Sequence, residues 1–220
     1  MICTQSDIIL EIKNLSCGYG DKPIILGFSL QLFSGETLAI TGPNGCGKST
    51  LLKAIYQLCK VNEGSITFKG RSLVGKTPEQ VKGLGIAWFM QKNAVFTKLT
   101  VKENLQLALN GLSRLDKKIK TEEIVVDFPG LRKWLNKTAG LLSGGQRQQL
   151  AFAMLVSQDA DLWLLDEPTA GLDLEKTNDF IDRIKQLSLK IKPTIIIVEH
   201  KLHVINQLKT KSIQFKNCVI

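Results

Sequence analysis

The chain has 220 residues, 44% hydrophobic and 22% charged, enough apolar material to bury the core of one compact domain. Its net charge of +9 is compatible with nucleic acid or an anionic membrane surface as partner, and equally with an ordinary solvated basic surface. No apolar run approaches the ~20 residues that cross a bilayer, and Met1–Leu10 lacks the basic and long apolar regions of a secretory signal, so a soluble cytosolic chain is expected. The five cysteines, Cys3, Cys17, Cys46, Cys59 and Cys218, form no C-x-x-C pair and are odd in number, which argues against a disulfide framework or a zinc site.

Ile8–Lys13 and Phe28–Leu32 alternate apolar and polar residues, as half-buried strands do. Thr37–Thr41 is apolar, β-prone and runs into a glycine-rich loop, after which Lys48–Cys59 reads as a helix. Ser65–Lys69 and Gly85–Phe89 read as further strands. From about 92 to 158 helical periodicity takes over, as in Val101–Leu112 and Gln146–Gln158. Strand patterns return at Leu162–Leu165, Thr194–Val198 and Lys211–Phe215, with a helix over Leu174–Leu189. The order predicts an α/β core of parallel strands, 1–91 and 159–220, interrupted by a helical subdomain at 92–158.

Gly42-Pro43-Asn44-Gly45-Cys46-Gly47-Lys48-Ser49 fits G-x-x-x-x-G-K-[ST] and sits where that motif must, between a buried strand and a helix that Thr50 continues. Its glycines let the backbone wrap an anion, with N–H groups and the helix dipole facing the phosphates. Lys48 supplies charge to the β- and γ-phosphates, and the Ser49 hydroxyl can ligate Mg²⁺. The guanine-reading string Asn-Lys-x-Asp is absent; Asn136-Lys137-Thr138-Ala139 has the wrong last residue. Leu162–Leu165 delivers Asp166 and Glu167 to the carboxyl end of a strand, the ligand edge of a parallel sheet. Asp166 suits Mg²⁺, and Glu167 suits polarising an attacking water. Successive strand residues face opposite ways, so the two carboxylates are not interchangeable.

Tyr19, Gln91, Leu142-Ser143-Gly144-Gly145-Gln146, Ala170-Gly171-Leu172-Asp173 and His200 accompany these motifs in a fixed order. In that order the chain resembles the nucleotide-binding subunit of ATP-binding cassette (ABC) transporters from Tyr19 to His200. The resemblance implies a P-loop NTPase core with a mostly parallel central sheet, an antiparallel N-terminal β subdomain and an inserted helical subdomain. It implies an ATPase using ATP and Mg²⁺. Tyr19 would stack on adenine, Gln91 would sense Mg²⁺ and the attacking water, and His200 would contact the γ-phosphate. Lys48 and Glu167 would complete the catalytic set. His203 is a competing histidine, read as a helix-face residue because it does not directly follow the strand.

One ATP does not need two phosphate loops in one chain. The resemblance implies that two subunits, alike or different, pair head to tail, so that Ser143, Gly144, Gly145 and Gln146 bind the partner's ATP and Asp173 lies at the contact. Transmembrane permease subunits would be met through residues 91–105. There, Phe96, Leu99 and Val101 would either fill a groove for a permease helix or form a local core. Residues 92–145 carry ten Lys/Arg and five Asp/Glu, a net +5 that suits anionic headgroups or plain solvation.

Pro78–Ala87, Phe96–Leu105 and Ile197–His200 are similar to the cassettes of branched-chain amino-acid and urea importers and of lipopolysaccharide export. The segment before Leu142 is short for that subset, and the end at Ile220 leaves no expectation of a C-terminal regulatory domain. An importer ATPase at the cytoplasmic face of the membrane is expected, with a separate substrate-binding protein as a further partner. A lipid or lipopolysaccharide exporter ATPase is the alternative within transport. Cassettes that act on nucleic acid or ribosomes are the alternative outside it, although no direct nucleic-acid partner is expected.

Overall fold

The computed structural model describes residues 8–20, 22–91, 95–208 and 210–215; the readings made for Met1–Asp7, Cys3, residues 92–94 and Cys218 lie outside them. Strands β1 (Ile8–Tyr19), β2 (Lys22–Phe33), β3 (Thr37–Thr41), β4 (Lys60–Phe68), β5 (Arg71–Ser72), β6 (Ile86–Phe89), β7 (Leu162–Asp166), β8 (Thr194–Val198) and β9 (Lys211–Gln214) form two sheets. The first is antiparallel, in the order β2-β1-β4-β5; the second is parallel, in the order β6-β7-β8-β3-β9.

Both β7 and β8 are buried along their whole length, which is why they read as unbroken apolar runs rather than alternating ones. Their side chains still alternate between two cores. Leu164, Ile196 and Val198 pack with Leu51, Leu52, Ile12 and Phe68 towards the antiparallel sheet. Trp163, Leu165, Ile195 and Ile197 pack with Phe152 and Phe180 on the other face. Phe152 is the centre of that second core, 5.2 Å from Phe180, 5.7 Å from Trp163 and 5.9 Å from Phe128 between ring centroids.

The helices are α1 (Lys48–Ile55), α2 (Pro78–Gly83), α3 (Val101–Ala108), α4 (Arg114–Asp127), α5 (Pro129–Arg132), α6 (Gly144–Val156), α7 (Leu174–Ile191) and α8 (Leu202–Leu208). Helix α1 stops four residues before the predicted end because Gln57 takes φ +57° and the chain turns into β4. Helix α3 likewise ends at Ala108, ahead of a turn with Gly111 at φ +97°. Helix α2 opens on a capping box formed by Thr77 and Gln80, with Pro78 in the first turn.

Because β6, β7, β8 and β3 are neighbours and parallel, their carboxyl ends bring Gln91, Asp166–Glu167, His200 and the glycine loop to one edge. The segment Phe96–Thr100 is anchored by Asn104, which is fully buried in α3. Its amide donates to the carbonyls of Phe96 (3.0 Å) and Thr100 (2.9 Å), and its Oδ1 accepts from the Phe96 N–H (2.7 Å). Replacing it orphans buried backbone groups. Asn104→Ala is expected to cost about 3 kcal/mol in a denaturant titration; a loss within experimental error would show that the segment is anchored elsewhere.

Candidate functional site

The glycine loop leaves β3 and enters α1 with backbone angles that side chains resist. Gly42 has φ +143°, and a Cβ there would stand 2.7 Å from the Phe215 carbonyl oxygen and 2.9 Å from Cys46 Sγ. Gly47, at φ +94°, caps α1 without any side-chain hydrogen bond, so the first-turn N–H groups are left for an anion. Lys48 is buried and its ammonium donates to the carbonyls of Gly42 (3.0 Å) and Pro43 (2.6 Å). The loop opens on a cavity of about 330 Å³ lined by Ile24, Asn44, Gly45, Gly47, Lys48, Ser49, Thr50, Gln91 and Glu167.

The two adjacent carboxylates face different partners. Asp166 ends β7, is 4% exposed and accepts from the Ser49 hydroxyl at 2.9 Å. Burial pushes its carboxyl above the usual range; the Ser49 hydrogen bond opposes this and the charge of Glu167 adds to it. Glu167 leaves the strand altogether, with φ +47°. A non-glycine residue there costs of order 1–3 kcal/mol, and such strain concentrates at functional positions. The twist carries its carboxylate between Gln91, whose amide donates to one oxygen, and His200, whose Nε2 lies 2.9 Å from the other.

Thus the loop, Ser49, Asp166, Glu167, Gln91 and His200 converge. Tyr19 stands at the end of β1, half-exposed, with the Lys53 ammonium of α1 5.2 Å from its ring centroid. His203 lies exposed on α8. The second glycine stretch is elsewhere. Ser143 caps α6, its hydroxyl accepting from the Gln146 N–H (3.3 Å) while the Gln146 side chain accepts from the Ser143 N–H (2.9 Å). None of Ser143–Gln146 lines the phosphate-loop cavity; Ser143, Gly145 and Gln146 line a cleft of about 590 Å³ against α7. Asp173 caps α7 and pairs with Lys176, whose hydrogen bond holds its carboxyl below the usual range.

Phe96, Leu99 and Val101 divide between their two readings. Val101 is wholly in the core, Leu99 is half-buried and Phe96 is exposed. Phe96 borders a second groove of about 340 Å³ with Tyr56, Lys82, Trp88, Met90 and Leu107. Sequence reasoning passed over Thr169, Glu199 and Lys201, which pack directly behind the edge that carries Glu167 and His200. A charged residue interrupting the apolar run between Val198 and His200 was the available signal.

A phosphate loop on a helix N-terminus, facing a Ser–Asp pair and a strained glutamate at the carboxyl edge of a parallel sheet, defines a P-loop nucleotide phosphohydrolase site. The ABC transporter family matches residues 25–170 of the chain. The chain is 36% identical over 194 residues, 88% of itself and 82% of the relative, to a probable branched-chain amino acid transport ATP-binding protein, LivF, of Archaeoglobus fulgidus. It is 32% identical to the sn-glycerol-3-phosphate import ATP-binding protein UgpC 2 of Agrobacterium fabrum, over 87% of itself and 51% of that protein. Its fold is similar to a nucleotide-free ATP-binding cassette from an ABC transporter, with a TM-score of 0.80 and 26% identity over 91% of this chain and 84% of that one. The chain belongs to the ABC transporter family and is an ATP-hydrolysing, ATP-binding subunit.

Since the Asp166 carboxyl is raised by burial, its ionised form destabilises the fold. That penalty is complete above the raised value and vanishes below the unfolded one. Asp166→Asn, which can keep the Ser49 hydrogen bond, is therefore expected to be more stable than the parent at neutral pH. Denaturation across a pH series should show the gain shrinking as pH falls towards the ordinary carboxylate range; an unchanged difference would remove burial as its source.

Proposed function

We propose that the phosphate loop, Gly42–Thr50, binds the phosphates of ATP through its N–H groups and Lys48, while Tyr19 stacks on the adenine. Glu167 accepts the proton of a water that attacks the γ-phosphorus, giving ADP and phosphate. His200 contacts the γ-phosphate, and Gln91 holds Glu167 and the attacking water in register. The single observation that carries this reading is Glu167 held at once by Gln91 and His200 beside the phosphate-loop cavity.

The residues also fit Mg²⁺. Ser49 Oγ and Asp166 Oδ1 are hard oxygen donors 2.9 Å apart. Among the described residues no group of three His, Cys, Asp or Glu could hold a metal by itself. A few protein oxygens completed by nucleotide phosphates and water is the coordination Mg²⁺ favours. Ser49 and Asp166 would hold the ion, with Gln91 near it. Bound there, it would neutralise negative charge on the nucleotide phosphates. The chain's own part is to keep Asp166 in place through Ser49.

Ser143–Gln146 act on the ATP of a second cassette, identical or not. Their capping box occupies two of their own polar groups and their separate cleft keeps them off the cavity of their own chain. ATP binding then closes a two-fold dimer, with Asp173 at the contact, and hydrolysis reopens it. Among the described residues no helix is long and apolar enough to cross a membrane. On this reading the chain is a peripheral subunit at the cytoplasmic face and acts on separate permease subunits. The exposed side chains of Met90, Phe96 and Leu107 around the 340 Å³ groove suit a permease helix. Likeness to UgpC 2, an import protein, and to LivF, a probable branched-chain amino acid transport protein, supports import of an amino acid or similar small polar solute.

Glu167→Gln is expected to bind ATP and lose about 100-fold or more in turnover, the scale of an acid–base group. It should accumulate as an ATP-bound dimer by mass measurement. Hydrolysis at the parent rate would take the base role from Glu167.

A further inference from the structure

Glu199 has no part in the chemistry above, yet the residue is 3% exposed, immediately before His200. A buried carboxylate persists only where donors compensate its lost hydration. Here Oε1 accepts the backbone N–H groups of His200 (2.8 Å) and Lys201 (3.1 Å), and Oε2 accepts the hydroxyl of the wholly buried Thr169 (2.6 Å). Thr169 lies two residues after Glu167. Lys201 reaches the same turn from the other side, donating to the carbonyls of Thr169 (3.0 Å) and Leu172 (3.4 Å) and to the Thr177 hydroxyl (3.1 Å). Gln148 of α6 grips it as well, donating to the carbonyls of Pro168 (2.9 Å) and Ala170 (3.1 Å). The turn between Glu167 and Asp173 thus hangs on the His200 segment and on the helix that Ser143 caps.

We propose that Thr169, Glu199 and Lys201, with Gln148, are positioning residues that make the His200 segment, the turn leading to Asp173 and the Ser143 helix move as one body. Loss of the γ-phosphate at one site is thereby passed to the groups that serve the other site. A simple staple could be apolar at no cost in stability. A buried carboxylate with each oxygen committed to a different segment instead fixes their relative position. The inference rests on the proposed dimer, in which Asp173 lies at the contact.

The test is a double-mutant cycle in the full-length protein, with turnover and ATP binding measured separately. Thr169→Val removes only the hydroxyl, and Asp173→Asn keeps the helix cap while removing the charge. Each is expected to lower turnover about tenfold, in the range of allosteric couplings, with ATP affinity changed less than about twofold. Thr169→Ser should restore turnover. The double variant should be no slower than the slower single variant, because both interrupt one relay. Should Thr169→Val fail to fold, Lys201→Met, which leaves the Thr169–Glu199 pair intact, enters the same cycle. Losses that multiply, a Ser variant as slow as the Val variant, or ATP affinity falling in step with turnover would each overturn the relay. Parent-like turnover of Asp173→Asn would instead contradict the dimer contact, and the relay with it; absence of hydrolysis by the parent chain would contradict the functional reading itself.

Discussion

A loop that binds phosphate must hold its own N–H groups unsatisfied until the ligand arrives, and the rest of this structure is arranged around that constraint. Gly42 and Gly47 reach backbone angles and close approaches that a side chain would block, and α1 starts without a capping side chain. The surrounding elements carry the strain. Ile24 and Ile25 of β2 pack against Gly47, the Phe215 carbonyl lies over Gly42, and the parallel strands on one side bring the carboxylates level with the loop. The antiparallel sheet supplies Tyr19 at the rim, beside Lys53 of the loop's own helix.

The same edge explains why two consecutive carboxylates do different work. Asp166 finishes the strand and is buried against Ser49, where a metal's charge would compensate a carboxyl that burial otherwise disfavours. Glu167, itself in the left-handed region, is turned out into a partly buried position between an amide and an imidazole. Depth and direction, set by a single φ angle, separate the proposed metal ligand from the proposed general base.

How much of this was legible depended on sequence distance. The phosphate loop, the Asp166–Glu167 pair and the Ser143–Gln146 turn are contiguous, and their chemistry requires particular residues at fixed spacing. The central strands were legible because burial on both faces leaves unbroken apolar runs, as in Thr194–Val198. Helix ends were less so: Gln57 in the left-handed region ended α1 with no glycine to announce it. The Thr169–Glu199 pair and the Gln148 grip were invisible. They join segments 30 and 20 residues apart, through contacts that exist only once the sheet and α6 are docked. Asn104 was overlooked for a different reason: its partners are close by, but an asparagine inside a helix reads as surface until its burial is known.

The central claim is that the catalytic unit is composite, with the phosphate loop of one chain completed by the Ser143 turn of another. Mixing two inactive variants, Lys48→Ala and Ser143→Arg, tests it most directly. In a mixed dimer one site receives both defects and the other receives none, so a two-fold assembly predicts ATPase activity in the mixture that neither variant has alone. If both elements instead served the ATP of their own chain, every site would keep one defect, and a mixture as inactive as its components would contradict the account.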